Sequence, residues 1–238
     1  FYNGGFQARY GDKMSSVLDI QYTRPTRFGG SAYIGLLEQG LHLEGVSRNS
    51  RFTYLVGVRN RNNRNLLSRQ ETQGNYVPSS ADVQGLLTYQ INRKNSIELL
   101  GNLSQTRFNL MPEFSQLTSS VFSPYFSANL GLDIYFEGRE EDRYRTSMLG
   151  LSWLQQPTRH LRLKWMVSHF ANREWESIDI AGAYLFGERE FDKTKPDFGL
   201  INNPLGAGLY HTFARNELDI RVWNVSHKGS LTRGSHFI

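Results

Sequence analysis

The side chains that could do chemistry in this chain are few and scattered. Six histidines occur: His42, His160, His169, His211, His227 and His236. No two of them stand at a metal-ligand spacing, and there is no H-E-x-x-H pair. Glu140, Glu141 and Asp142 form an acidic run with Asp133 and Glu137 upstream. On an external loop such a run could hold calcium, a hard cation that takes oxygen ligands. The D-x-[DN]-x-[DN]-G pattern is missing, so a solvated loop is the expectation. The stretch R-N-R-N-N-R-N from Arg59 to Asn65 could meet lipopolysaccharide phosphates or an anionic substrate through its guanidinium groups. A loop tip is the plainer reading. The carboxylates Glu174 and Glu176 are expected on a loop without companions.

No G-x-S-x-G elbow, Walker A loop or dinucleotide fingerprint occurs. No catalytic, cofactor-binding or metal-ligating residue is therefore assigned, and no enzyme is expected. Ligand-contacting residues stay unassigned.

The composition narrows the class. There are no cysteines, which excludes disulfides and thiolate metal sites. No apolar run of about 18 residues offers a transmembrane helix. Yet aromatics make up 13% and glycine numbers 22 against 7 prolines. That balance suits a transmembrane β-barrel, in which only every second strand residue meets lipid. The net charge is +5, with 27 basic residues interspersed among 22 acidic ones. No basic block stands out, so no nucleic-acid partner is expected.

The elements that must carry these side chains announce themselves by alternation with period two. Phe52, Tyr54, Val56 and Val58 share a face, with Leu55 an apolar exception on the other. Val83, Leu87, Tyr89 and Ile91 oppose Asp82, Gln84, Thr88 and Gln90. Ile97, Leu99 and Leu103 oppose Ser96, Glu98, Asn102 and Ser104. Leu161, Leu163, Trp165 and Val167 oppose Arg162, Lys164 and Ser168; Leu218, Ile220 and Val222 oppose Asp219 and Arg221. A β-sandwich that binds carbohydrate would also alternate. Strands near ten residues with mid-strand charges favour a barrel instead, because that length crosses a membrane when tilted.

About nine strands are expected, at 29–37, 41–47, 51–59, 81–91, 96–108, 144–154, 161–171, 206–213 and 218–229. Short turns fall at 48–50, 92–95, 155–160 and 214–217, and long loops at 60–80, 109–142 and 172–205. Ile178–Phe186 alternates as well and should extend a hairpin. Short turns alternating with long loops are the habit of outer-membrane barrels. Trp153 and Trp165 flank a short turn and read as a periplasmic aromatic girdle. The histidines then fall in turn, girdle or lumen positions. An odd strand count and an unpaired last strand would leave an open edge in lipid. Together with Phe1 in place of Met, they suggest a piece of a longer protein.

The most specific stretch is G-G-F-Q-A-R-Y-G-D-K-M-S-S-V-L-D-I from Gly4 to Ile20. Gly4, Gly5, Phe6, Ala8, Tyr10 and Gly11, followed by Asp12, Lys13, Ser15, Ser16, Val17, Leu18 and Asp19, carry a resemblance. This stretch resembles the end of the plug domain in TonB-dependent outer-membrane receptors of the Bacteroidota type. Phe28–Gly45 resembles their first barrel hairpin and Ala214–Gly229 a later one. Ser15–Arg24 would be a plug strand, and Arg24-Pro25 would stop it at the plug-to-barrel crossing.

The resemblance implies an all-β fold: part of an antiparallel transmembrane barrel, about nine strands of a 22-stranded plugged one. Residues 1–24 would end the plug, and 25–238 would begin the barrel. It further implies active nutrient uptake in the bacterial outer membrane. The partners would be outer-membrane lipid and lipopolysaccharide, with the TonB complex acting through an N-terminal part outside this sequence. An external SusD-like lipoprotein lid is compatible, though no residue requires it. The alternative is a receptor-like barrel that serves as a structural subunit or client of an outer-membrane assembly or secretion machine.

Overall fold

The computed structural model describes residues 2–3, 10, 16–62, 74–122, 125, 127–233 and 236–237. Among them every regular element is a strand. β1 (Tyr2–Asn3) and β2 (Ser16–Val17) pair with each other. Then come β3 (Gly29–Ile34), β4 (Glu38–Val46), β5 (Phe52–Asn62), β6 (Gly74–Tyr76), β7 (Ser79–Asn92) and β8 (Asn95–Pro112). β9 (Ser115–Phe122), β10 (Ser127–Thr158), β11 (Leu161–Arg189), β12 (Ile201–Arg233) and β13 (His236–Phe237) complete the chain.

The eight main strands form one antiparallel meander in the order β3-β4-β5-β7-β8-β10-β11-β12. β6 pairs with β8 beside it, β9 with β10, and β13 with the end of β12. The sheet does not close: β3 is one edge, and β12, covered only at its end by the two-residue β13, is the other. A sandwich would need a second large sheet, and among the described residues the other sheet is only the two-residue β1–β2 pair.

Register turns the alternation into rows. One row reads Phe52, Tyr89, Ile97, Trp153, Trp165, His227 across β5 to β12. The next reads Tyr54, Leu87, Leu99, Leu151, Val167, Val225, and the third Val56, Gly85, Gly101, Leu149, His169, Trp223. The fourth reads Val58, Val83, Leu103, Ser147, Ala171, Arg221. These rows make a continuous apolar face. It is the exposed one: Leu103 is 62% exposed, Leu149 55% and Trp165 47%. The opposite face is polar and more shielded, with Thr88 and Ser96 buried at 4% and 5%. No large side chain among the described residues is fully buried.

Local chemistry sets the tight turns. Asn49 Oδ1 accepts from the Arg51 backbone N–H at 3.1 Å, beside Ser50 with φ 56°. Asn92 Oδ1 accepts from the Lys94 N–H at 2.9 Å, and Thr158 Oγ1 from the Leu161 N–H at 3.2 Å. Such short side chains mimic a backbone turn and release the strands on either side.

Four expectations need correction. The turn at 214–217 does not exist, because β12 runs unbroken and pairs Ala214 with Ile178 and Asn216 with Glu176. Ala-Arg-Asn-Glu holds no glycine or proline, and β11 offers it a full ladder. Much of the expected loops at 109–142 and 172–205 is strand: β10 starts at Ser127, β11 runs to Arg189, and Ile178–Phe186 lies within it. Leu218, Ile220 and Val222 sit on the polar face, while Trp223 and Val225 join the apolar one. Of the strand expected at Ser15–Arg24, Ser16–Val17 is strand, residues 18–28 carry no ladder, and Ser15 lies outside the described residues. Most of the Gly4–Ile20 motif lies outside the described residues.

The long strands are locked by glycine–tyrosine pairs. Gly182 faces Tyr210 across β11 and β12, and Gly208 faces Tyr184. A Cβ at Gly182 would stand 2.3 Å from the Tyr210 ring, and one at Gly208 2.6 Å from Tyr184. Only a missing side chain lets the ring rest on its neighbour's backbone. Gly182→Val should therefore cost about 1–3 kcal/mol through overpacking. The check is the guanidinium unfolding midpoint of the chain, with partial recovery expected in Gly182→Val/Tyr210→Ala.

The upper end of the wall is tied by a buried ion pair, Arg189 to Asp133, whose side chains are 3% and 7% exposed. Arg189 also donates to the Gly199 carbonyl at 2.7 Å, which pins the loop between β11 and β12. Removing one partner of a buried pair strands the other charge, at a cost of about 3–5 kcal/mol. Arg189→Ala should open tryptic cleavage after Lys193 well before the rest of the sheet is cut.

Candidate functional site

The polar face is where chemistry could occur, and its charges are sorted along the strands. At the turn end Arg24, Arg93, Lys94, Arg162, Lys164 and Lys228 line a cleft of about 840 Å3. The carboxylate beside them is Glu98, which sits on β8 between two cations. Its Oε1 lies 3.4 Å from Arg24 and its Oε2 3.6 Å from Lys164.

Arg24 belongs to the segment that precedes β3. Asp19, Ile20, Gln21, Tyr22 and Arg24 share a 490 Å3 pocket with Leu86, Leu100, Met148 and Met166 of the sheet. Leu55, Leu86 and Leu100 stand in one row of the polar face. They form an apolar island there, and the segment crosses it. Leu55, the exception to its strand's alternation, belongs to this island.

Midway up, the cations are matched. Arg59 donates to Asp82 at 2.8 Å, and Arg61 to Glu38 at 2.9 Å. The Arg61 guanidinium holds the Glu38 carboxyl below its ordinary range, and Asp82 pushes Arg59 up. These arginines lie in strand β5 and already have carboxylate partners, so the first half of the Arg59–Asn65 run is not an open loop tip. Asn63, Arg64 and Asn65 lie outside the described residues.

Higher still the face is acidic. The expected loop at Glu140–Asp142 is strand, so its members part by period two. Glu141 turns to the apolar side, where it meets Arg143 and lies 3.7 Å from Arg139. Glu140 and Asp142 turn to the polar side. Glu174 and Glu176 join them from β11, a strand where a loop was expected. Tyr144 donates to Glu176 Oε1 at 2.7 Å, and Asn216 reaches Oε2 at 3.4 Å. Those bonds lower the Glu176 pKa and raise that of Tyr144. Burial first, then Asp142 and Glu176, raise Glu140; burial and Glu176 raise Asp142, opposed in part by the Ser177 N–H.

The histidines disperse. His42 lies on the polar face opposite Gly57, and His160 sits in the turn after β10. His169 packs on Trp223 at 4.5 Å and His227 on Trp165 at 4.0 Å. His211 meets Asp179 at 2.8 Å. The side chain of His236 lies outside the described residues. Among those residues, no three His, Asp or Glu side chains are grouped to hold a metal ion. Trp153 and Trp165 are direct cross-strand partners in the aromatic row.

Sequence reasoning missed the acidic cluster, because its members lie on two strands and were placed in two loops. The signal that could have found it is the alternation of Glu140, Asp142 and Tyr144, which matches that of Glu174 and Glu176. No protein-family model, curated protein or solved structure matches this chain.

Glu98 anchors the 18–24 segment, so Glu98→Gln should loosen it. Exposed ion pairs are individually weak, about 0.2–1 kcal/mol, so a rise of about twofold to fivefold is expected in the tryptic cleavage rate after Arg27. Cleavage at the unaltered rate would mean that the segment is held without Glu98.

Proposed function

We propose that this chain is part of a TonB-dependent outer-membrane receptor, the end of its plug and the first strands of its barrel, and that the whole protein actively takes up a nutrient ligand. The observation that carries the membrane reading is the inverted solvation of the sheet: its apolar face is exposed and its polar face shielded. Water would expel such an apolar face, whereas a bilayer solvates it. From Leu163 to Ala171 the apolar side of β11 spans nine residues before Arg173, about the length a tilted strand needs. The row of Phe52, Tyr89, Trp153 and Trp165 lies at the short-turn end, where amphipathic rings suit a lipid–water boundary.

Above the apolar rows the same side carries Arg107, Arg143, Arg145 and Arg173. At that height guanidinium groups suit lipopolysaccharide phosphates. The short turns would then face the periplasm and the tall β10–β12 wall the outside. The receptor class rests on the likeness of residues 4–20 to a plug ending. The TonB complex and a SusD-like lid would be partners of the whole protein, and lipid the partner of this sheet.

In cells, the intact parent protein should fractionate with the outer membrane and leave it only in detergent. Its ligand uptake should fall to background in a strain without TonB. Uptake that persists without TonB would overturn the transport reading. Stoichiometric co-purification with envelope assembly or secretion subunits would support the structural-subunit alternative.

A further inference from the structure

We infer that the polar face around Asp142 is a binding site for an organic cation, an ammonium or guanidinium group held by carboxylates beside aromatic rings. Asp142 is only 8% exposed, and its Oδ1 has no hydrogen-bond partner. A buried carboxylate with one oxygen left unpaired is costly, and a fold retains one chiefly where something else completes it.

The neighbours are suited to a cation. One row reads Phe108, Asp142, Glu176, Asn216, and the row below it Thr106, Tyr144, Glu174, Leu218. Glu140 stands in the row above. Tyr76 packs against Phe108 with ring centroids 6.3 Å apart. Carboxylates beside aromatic faces attract alkylammonium and guanidinium groups both by charge and by the ring quadrupole.

Among the described residues there is little counter-charge here. Arg139 and Arg143 project to the other face, onto Glu141. By register the nearest described arginine on the polar face is Arg61, three strands from Tyr144 and so about 14 Å away. It is already paired with Glu38. The upward shifts of Glu140 and Asp142 arise from burial and from other carboxylates, which a bound cation would offset. A metal ion fits less well, since no three carboxylates among the described residues are grouped to ligate one. An organic cation has several donors set apart and can bridge such a spread.

The site rests on the polar-face geometry and not on TonB coupling, so either conclusion can fail without the other. The test is titration calorimetry on the full chain in detergent micelles with ethylguanidinium and ethylammonium, and with neutral ethylurea as control. Saturable binding of a cation, at least about tenfold tighter than ethylurea, is expected, a tenfold ratio being 1.4 kcal/mol. Asp142→Asn should weaken it about tenfold or more and raise the thermal midpoint, because it removes a buried unpaired charge. A merely structural Asp142 would lower that midpoint. Glu176→Gln keeps the acceptor for Tyr144 and should also weaken binding, so it carries the test if Asp142→Asn does not fold. No saturable binding, unchanged affinity in both variants, or calcium displacing the probe at equal concentration would overturn the proposal.

Discussion

A single-layer sheet has no interior, and that constraint governs everything else in this chain. Each strand commits alternate side chains to two different surroundings, and among the described residues no second sheet of comparable size stands over either face. Cohesion then comes from the backbone ladder and from cross-strand pairs in long shared rows. A slip of one residue would carry the Trp153–Trp165 row to the polar face and Glu98 to the apolar one. The register is therefore pinned redundantly, by Asx turns at one end and by glycine–tyrosine pairs and the Arg189–Asp133 bond at the other. Those pins sit far apart along β10 and β11, which is what strands of 32 and 29 residues require.

The alternation was legible because it depends only on neighbours in sequence. The faces of β5, β7 and β8 follow directly from Phe52–Val58, Val83–Tyr89 and Ile97–Leu103. Strand ends were less legible. Polar, charged segments such as 139–145 and 172–176 look like loops when both faces are hydrophilic, because the contrast that marks a strand is gone. What makes them strand is the ladder to β8, β11 and β12, a long-range term that local pattern does not contain. The break assumed in β12 has the same origin: Arg215, Asn216 and Glu217 are polar on both sides.

The candidate site was illegible for a related reason. Asp142 and Glu176 are 34 positions apart, and only register makes them neighbours. Once it does, the polar face reads as a graded field: cations at the turn end, matched pairs in the middle, carboxylates above. Like charges gathered on a shielded surface focus potential more than the same charges in open water. The +5 net charge conceals this, because it averages over two ends of opposite sign.

The apolar island of Leu55, Leu86 and Leu100 is a place where the two-face rule fails on the polar side of three successive strands. Greasy side chains on a wet face are a liability unless another element covers them. The segment 18–24 supplies part of that cover, yet Ile20 remains 61% exposed and Tyr22 48%. Its fixed point is Arg24 on Glu98, a charge contact between a half-exposed arginine and a more shielded glutamate, and not a packed core. Such a contact permits release without disturbing the ladder beneath. A break in alternation is thus the footprint of a second element, and Leu86 and Leu100, which share a pocket with Ile20 and Tyr22, mark where that element crosses the sheet.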